Sequence, residues 1–426
     1  MLTPDGYKPR LVDRQITRAL GVFGAVCVEG PKWCGKTWTL MNQAQSAIFL
    51  GDPSGNFQNR RLAQMDPSLV LPGETPRLID EWQEVPPIWD AVRYAVDKEG
   101  EKGRYLLSGS STPQYKGVMH SGTGRIATIH MSPMSLYESG DSAGAVSLKS
   151  LFEAGLEASQ TGEVQISHLC RLIIRGGWPG NIDAPAGDEG LVPASYVEQV
   201  CNQDINRIDD KTRSTEKMTL LMRSLARNES TLASVSTLRR DMLQFDDDTL
   251  SPDTVADYLD VLYRLFAIYD QPAFNPNMRS SVRVGKKPKR HLADPSLAAA
   301  ALGATETSLI NDLNTLGFLF ESLCERDLMV YARANGGKLF HYRDGRNREI
   351  DAVVEMPGGE WGAFEIKLGA NQIDSAAESL LALKEDMESD PHAKPPCILV
   401  VICGLTSFAY TRPDGVMVVP ITALRE

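Results

Sequence analysis

No apolar run in these 426 residues approaches the ~20 that a membrane span needs; the longest, Ile398–Cys403 with Cys397 before it, is seven residues. Met1–Arg10 is polar and lacks the apolar core of a signal peptide, so export is not expected. The seven cysteines (Cys27, Cys34, Cys170, Cys201, Cys324, Cys397 and Cys403) form no CxxC pair. That argues against a disulfide framework or a zinc site and points to reduced thiols in the cytoplasm. Internal repeats and low-complexity tracts are absent, and the composition excludes a collagen-like repeat, a coiled-coil rod or a disordered tail. Positive charge is in deficit: 44 Lys and Arg face 55 Asp and Glu, a formal net charge of −11. This balance argues against a nucleic-acid binder working with its whole surface, while a local basic groove stays open. What is present is 42% hydrophobic and 23% charged residues, an ordinary globular mixture. At roughly 150 residues per domain, the length suggests about three domains.

Residues 1–24 read as an arm and one helix, with Leu11, Ile16, Ala19, Leu20 and Phe23 at near-helical spacing. From 25 to 138, short apolar runs alternate with helical stretches. The runs are Ala25–Glu29, Ala47–Leu50, Arg77–Ile79, Tyr105–Leu107 and Ile126–His130. Such alternation marks an α/β fold with a mainly parallel sheet covered on both faces. Residues 139–193 hold two loops and two helical patterns stopped by Gly176-Gly177-Trp178-Pro179-Gly180, which predicts a small helical lid and linker. Residues 194–275 are mainly helical (Glu216–Asn228, Val235–Leu243 and a helix opening at Ser251-Pro252) before a strand-like Ala267–Asp270. That layout resembles a winged helix-turn-helix. From 276 to 426, a long helix leads into strands, a helix and more strands.

Gly30-Pro31-Lys32-Trp33-Cys34-Gly35-Lys36-Thr37 matches G-x-x-x-x-G-K-[ST] at every fixed position, between a strand-like run and a helical stretch. Gly30 and Gly35 let the backbone curl so that its N–H groups face phosphate oxygens at a helix N-terminus. Lys36 is expected to reach the β- and γ-phosphates of ATP, and Thr37 to ligate Mg2+. Pro31, Lys32, Trp33, Cys34 and Trp38 complete the expected cradle. Downstream, Arg77-Leu78-Ile79-Asp80-Glu81 ends an apolar run in two carboxylates. Asp80 suits the Mg2+ shell, and Glu81 suits the general base that polarises the attacking water. The expected fold is therefore a P-loop NTPase, and hydrolysis is expected beyond binding.

Two further positions leave alternatives open. Ser110, just past Tyr105–Leu107, is expected to sense phosphate or orient water; a plain turn serine is the alternative. Arg125, in Gly122-Thr123-Gly124-Arg125, is expected to neutralise charge on the transferring phosphoryl, from its own subunit or a neighbour. A surface arginine is the alternative, and Arg171 and Arg175 compete for the role. Action in trans requires a homo-oligomer.

A second constellation lies near the C-terminus. Leu339–Arg343, Glu349–Val354 and Gly362–Leu368 read as strands. Alternation then puts Asp351 on a face with Glu349 and Glu365 on a face with Lys367, while Ile350, Ala352, Phe364 and Ile366 face the other side. The resulting D-x13-E-x-K spacing suits metal-dependent nuclease chemistry. Asp351 and Glu365 would bind Mg2+, Lys367 would orient the water, and Glu321 on a helix Phe318–Leu328 would add a ligand. A charged strand face with a cross-strand ion pair accounts for the same residues.

Taken together, the chain resembles prokaryotic AAA-superfamily ATPases that carry a C-terminal restriction-endonuclease-like domain of unknown function. The match rests on Tyr7-Lys8-Pro9-Arg10, Gly30–Thr37, Leu78-Ile79-Asp80-Glu81-Trp82-Gln83 and Gly124-Arg125-Ile126. It extends through Gly176-Gly177-Trp178-Pro179, Ala293-Asp294-Pro295, Glu349-Ile350-Asp351 and Glu365-Ile366-Lys367. The resemblance implies that Lys36, Thr37, Asp80 and Glu81 serve MgATP, and that residues 276–426 form an α/β fold similar to PD-(D/E)XK nucleases. The chain departs from that motif in having Glu349-Ile350 where Pro often precedes Asp.

Partner signals conflict. Arg279, Arg283, Lys286, Lys287, Lys289 and Arg290 fall in a stretch without acids, within residues 279–291, suited to DNA or RNA backbone contact; a solvated linker is the alternative. Asp253, Asp257 and Asp260 instead form an acidic stripe on the helix expected over 251–264, which would repel DNA and suits a protein contact. Two functions follow: an ATPase whose nucleotide state controls a Mg2+-dependent nuclease, or an ATPase whose nuclease-like fold is a catalytically inactive binding platform. A nucleotide-gated scaffold that barely hydrolyses ATP is the third.

Overall fold

Five apolar runs of the N-terminal third become strands, two at their expected bounds and three within two residues of them: β1 (Ala25–Glu29), β2 (Ser46–Phe49), β3 (Arg77–Asp80), β4 (Tyr105–Gly109) and β5 (Ile126–His130). The computed structural model describes residues 2–112, 118–209, 211–243, 250–277, 280, 285–345 and 348–426. All five strands pair in parallel in the order β2-β3-β4-β1-β5. Helices must then cover both faces. Ile88–Glu99 seals one side with Ile88, Val92, Ala95 and Val96 against Ala25, Cys27, Ile79 and Leu107. On the other side, Ile16 and Leu40 pack against Val26, Val28, Leu78 and Leu106. Alternate residues of β1 thus feed two separate cores. In doubly covered parallel sheets, ligands bind beyond the carboxyl ends of the strands.

This sheet belongs to a unit made of Met1–Pro133, Asn202–Arg213 and Asp260–Ala267; Met134–Cys201, Ser214–Leu259 and Ile268–Glu426 make a second. The two late segments are fastened within the first unit by polar contacts. Thr112 N donates to Arg264 O at 2.9 Å, the Arg264 guanidinium donates to Ile208 O at 2.8 Å, and Lys32 pairs with Asp204 at 2.6 Å.

The second unit contains a hairpin of β6 (Ile268–Gln271) and β7 (Lys289–Leu292) and a larger mixed sheet. That sheet is built from β8 (Lys338–Arg343), β9 (Glu349–Glu355), β10 (Trp361–Gly369), β11 (Ile398–Leu405), β12 (Phe408–Thr411) and β13 (Met417–Pro420). Their order is β8-β9-β10-β11-β13-β12, with the short strand Ser159–Gln160 at the edge. Helices Leu313–Ala334 and Ile373–Ser389 pack on the sheet. Register shifts between β8 and β9, where Phe340 faces Val353 and Tyr342 faces Ile350. One extra residue flips the alternation. Ile350 consequently joins the core of Val353 and Ala363, contrary to its expected place with Phe364.

Helices Thr215–Arg227, Val235–Leu243 and Pro252–Arg264 lie where the sequence expects helices, followed by the β6–β7 hairpin. The expected boundary at 275/276 falls inside that hairpin. Residues 139–193, expected as a lid on the ATPase core, belong to the second unit, where helix Ile166–Arg175 packs on Pro295–Leu302. The Gly176-Gly177-Trp178 stop is an anchor there. Gly177 N donates to Asp294 Oδ2 at 3.0 Å, Trp178 Nε1 donates to Ser296 Oγ at 2.9 Å, and a Cβ on Gly177 would lie 2.1 Å from Met134 O.

Candidate active site

β1 ends at Glu29, and the chain wraps through Gly30–Gly35 into helix Lys36–Met41. Only glycine fits position 30, where a Cβ would stand 2.1 Å from Met131 O. Gly35 takes φ 102°, a left-handed turn that glycine tolerates best. The buried Lys36 Nζ reaches across the loop to Gly30 O (3.0 Å) and Pro31 O (2.8 Å). Arg10 fixes the loop from outside, donating to Cys34 O at 2.7 Å and Ser132 O at 2.9 Å. Trp33 and Trp38 are half-exposed.

The Thr37 hydroxyl donates to Asp80 Oδ1 at 2.9 Å, and the Ser108 hydroxyl donates to the same oxygen at 2.6 Å. Burial pushes the Asp80 carboxyl above its ordinary range; Ser108 opposes this, Glu81 adds to it, and Thr37 and Lys36 pull it back. A hydroxyl and a carboxylate facing each other at a helix start are hard oxygen donors suited to Mg2+. Glu81 adopts φ 60°, ψ 47°, a left-handed conformation that costs a non-glycine residue on the order of 1–2 kcal/mol. Its N–H donates to Ser108 Oγ at 2.8 Å, and its carboxylate accepts from Ser110 Oγ at 2.9 Å and from the Gln83 amide. Gln83 also donates to Ser110 Oγ at 3.2 Å. Loop, acid pair and Ser110 therefore meet at one end of the sheet.

Residues 23–140 match the family profile of an AAA domain. The N-terminal sheet and its loop are the part of the chain that is similar to an AAA domain. Residues 166–308 and 316–424 match two domains of unknown function, DUF8612 and DUF4143. Uncharacterized proteins of Mycobacterium bovis and Mycobacterium tuberculosis are each 24% identical over 357 residues, covering 83% of this chain and 72% of theirs. Among solved structures, a Walker-type ATPase of Pyrococcus abyssi aligns at 14% identity and a TM-score of 0.42, over 71% of this chain and 99% of that one. A Saccharomyces cerevisiae Hsp104–ADP complex aligns at 12% and 0.25, over 76% and 43%. Likenesses at that distance say nothing about mechanism.

Arg125 does not join the AAA site of its own subunit. It precedes β5, and β5 runs parallel to β1, so it lies at the strand starts, roughly 15 Å of strand from the loop. There Arg125 Nε donates to Asp97 Oδ1 at 2.7 Å. Arg175, the competitor for its role, belongs to the second unit and pairs with Asp141 at 2.5 Å; Arg171, in the same unit, is exposed. Ser108, Gln83, Arg10 and Asp204 are the residues that spacing did not single out. Arg10 and Gln83 each had one signal, their places in the Tyr7–Arg10 and Leu78–Gln83 motifs.

In the second unit, Asp351, Glu365 and Lys367 do converge. Asp351 Oδ2 accepts from Lys367 Nζ at 3.0 Å and Ile366 N at 2.7 Å, while Glu365 lies 2.6 Å from Lys367 and accepts from Ser379 at 3.2 Å. Burial raises the Asp351 carboxyl, but Lys367 and Lys289 outweigh it and hold the group below its ordinary range. Burial and Asp351 push Glu365 up to about 8. Glu321, the expected third ligand, is held by Lys289 at 2.8 Å. Among the described residues, no three His, Cys, Asp or Glu are grouped to hold a metal ion. The expected Mg2+ set of Glu321, Asp351 and Glu365 is thus paired to ammonium groups.

Within the basic stretch, Lys287 is exposed. Lys289 is 1% exposed inside β7, Arg290 faces Asp270 at 3.7 Å, and Lys286 is bonded to Arg343 O; Arg279 and Arg283 lie outside the described residues. Asp253 and Asp260 are exposed on their helix. A cleft lined by Leu313, Asn314, Phe318, Glu321, Lys367 and Gln372 opens beside the carboxylates. Among the described residues, no helix is long and apolar enough to cross a membrane.

Proposed function

We propose that the chain hydrolyses MgATP and that its nucleotide state controls a C-terminal domain acting as a binding platform. The observation that carries the ATPase reading is the chain Thr37–Asp80–Ser108–Glu81, which ties the phosphate loop to the general base through three hydrogen bonds. Thr37 and Asp80 would hold Mg2+, which when bound supplies charge neutralisation for the phosphates. Lys36 leaves Gly30 O and Pro31 O for the β- and γ-phosphate oxygens. Glu81, aimed by Ser110 and Gln83, takes the proton of the attacking water. Arg125 can serve only a neighbouring subunit, in which case activity rises with assembly.

Lys36→Ala should abolish binding of a fluorescent ATP analogue. Glu81→Gln should retain binding and lose about 10²- to 10⁴-fold in turnover, the usual worth of a general base. Normal turnover in Glu81→Gln would favour the nucleotide-gated scaffold.

The platform reading is supported by the pairing of Asp351 with Lys367 and of Glu321 with Lys289, and by the cleft beside them. Its competitor, a Mg2+-dependent nuclease built from Asp351, Glu365 and Lys367, draws on the convergence of those three groups. Incubation of the full chain with DNA and RNA in Mg2+ or Mn2+ separates the two. The platform predicts no cleavage; the nuclease predicts cleavage that Asp351→Ala and Lys367→Ala each abolish while ATP turnover survives.

A further inference from the structure

Lys289 is a buried cation for which the ATPase has no use. Its side chain is 1% exposed, and its Nζ lies 2.8 Å from Glu321 Oε1, 3.5 Å from Glu325 Oε1, 3.6 Å from Glu349 Oε1 and 3.4 Å from the Asp351 carbonyl. Two periodicities create the match. Glu321 and Glu325 are four apart on helix Leu313–Ala334 and share a face; Lys289 and His291 are two apart on β7 and share a face. His291 carries the second half of the ladder, with Nδ1 at 3.1 Å from Glu229 and 3.7 Å from Glu325. Its Nε2 meets Gln271 Oε1 at 2.9 Å, while the Gln271 amide nitrogen donates to Phe340 O at 2.9 Å. An ammonium taken out of water costs several kcal/mol unless carboxylates surround it, and here they do. Its three N–H groups meet two carboxylates and one carbonyl, all oxygen, as a hard metal ion would require.

We propose that Lys289 is the resident cation of the C-terminal carboxylate cluster, standing in for the divalent metal of a restriction-endonuclease-like fold, so that the cluster binds none. The proposal deepens the platform reading and does not depend on the ATPase. Lys367 does for one oxygen of Asp351 what Lys289 does for one oxygen of Glu321. The strand bearing Lys289 thereby pins the β6–β7 hairpin to helix Leu313–Ala334.

The test titrates the full chain, without nucleotide, with Mn2+ alone, reading free Mn2+ by its electron paramagnetic resonance. Wild type and Asp351→Asn should bind the same amount of Mn2+. Lys289→Met, which keeps the length and removes the charge, should gain a saturable site at least tenfold tighter than any in the second unit of the wild type. Adding Glu321→Gln should remove it. A wild-type Mn2+ site that Asp351→Asn abolishes overturns the proposal, as does a folded Lys289→Met chain that gains no site. Should Lys289→Met fail to fold, the wild-type and Asp351→Asn pair decides alone. Cleavage of nucleic acid without Mn2+ at Asp351 would sink the platform reading and leave this cation assignment standing.

Discussion

Glu81 holds its unusual backbone because three neighbours grip it: Ser108 takes its N–H, and Ser110 and Gln83 take its carboxylate. Ser108→Ala frees that N–H and one side of Asp80. The expected result is a 10- to 100-fold fall in kcat for ATP, roughly 1.4–2.7 kcal/mol, with KM nearly unchanged. An equal rise in KM would mean that Ser108 serves binding alone. Lys36, Thr37, Asp80 and Glu81 were legible in the sequence because a phosphate loop needs fixed residues at fixed spacing. The roles of Ser108 and Gln83 were not, since a strand serine and a turn glutamine acquire them only when β3 and β4 lie side by side. Glu365 offers a test at the same scale in the other unit. Its carboxyl sits near 8 against an ordinary 4.5, so the folded chain holds a proton there that the unfolded chain has shed. That contribution to stability is full below about 4.5 and is lost as pH rises through about 8, with a slope of at most about 1.4 kcal/mol per unit. Melting curves at pH 4 and pH 9 should show Glu365→Gln matching wild type at the lower pH and melting a few degrees higher at the upper. Parallel curves would contradict the assignment.

At the scale of elements, the N-terminal arm is part of the nucleotide site. Arg10 satisfies two buried carbonyls, one in the loop and one past β5. Leaving such groups unpaired costs about 1–3 kcal/mol each. Arg10→Ala should therefore lower the melting temperature by several degrees and weaken ATP binding; unchanged affinity would show that the loop holds its shape unaided. The five parallel strands were readable because short apolar runs set between helical stretches suit a sheet buried on both faces and little else. The stretch ending at Arg290 was not, because a lysine on a strand reads the same whether its partners are phosphates or the Glu321 and Glu325 carboxylates of a helix further along. The bulge that moves Ile350 to the other face is equally silent, being a property of strand pairing and not of either strand alone.

For the whole molecule, sequence order and spatial order part company. Asn202–Arg213 and Asp260–Ala267 return to the AAA unit, and the lid expected over 139–193 belongs elsewhere. Local composition carries no record of such returns, which are set by pairs like Lys32–Asp204, 172 residues apart. The account stands on one claim: a phosphate loop tied to a strained general base turns over ATP. Phosphate release by the full chain, wild type against Glu81→Gln at saturating MgATP, tests it directly. The prediction is steady turnover in wild type and a loss of at least about 100-fold in the variant, with ATP still bound. Equal rates in the two chains, or no release from wild type, would contradict it.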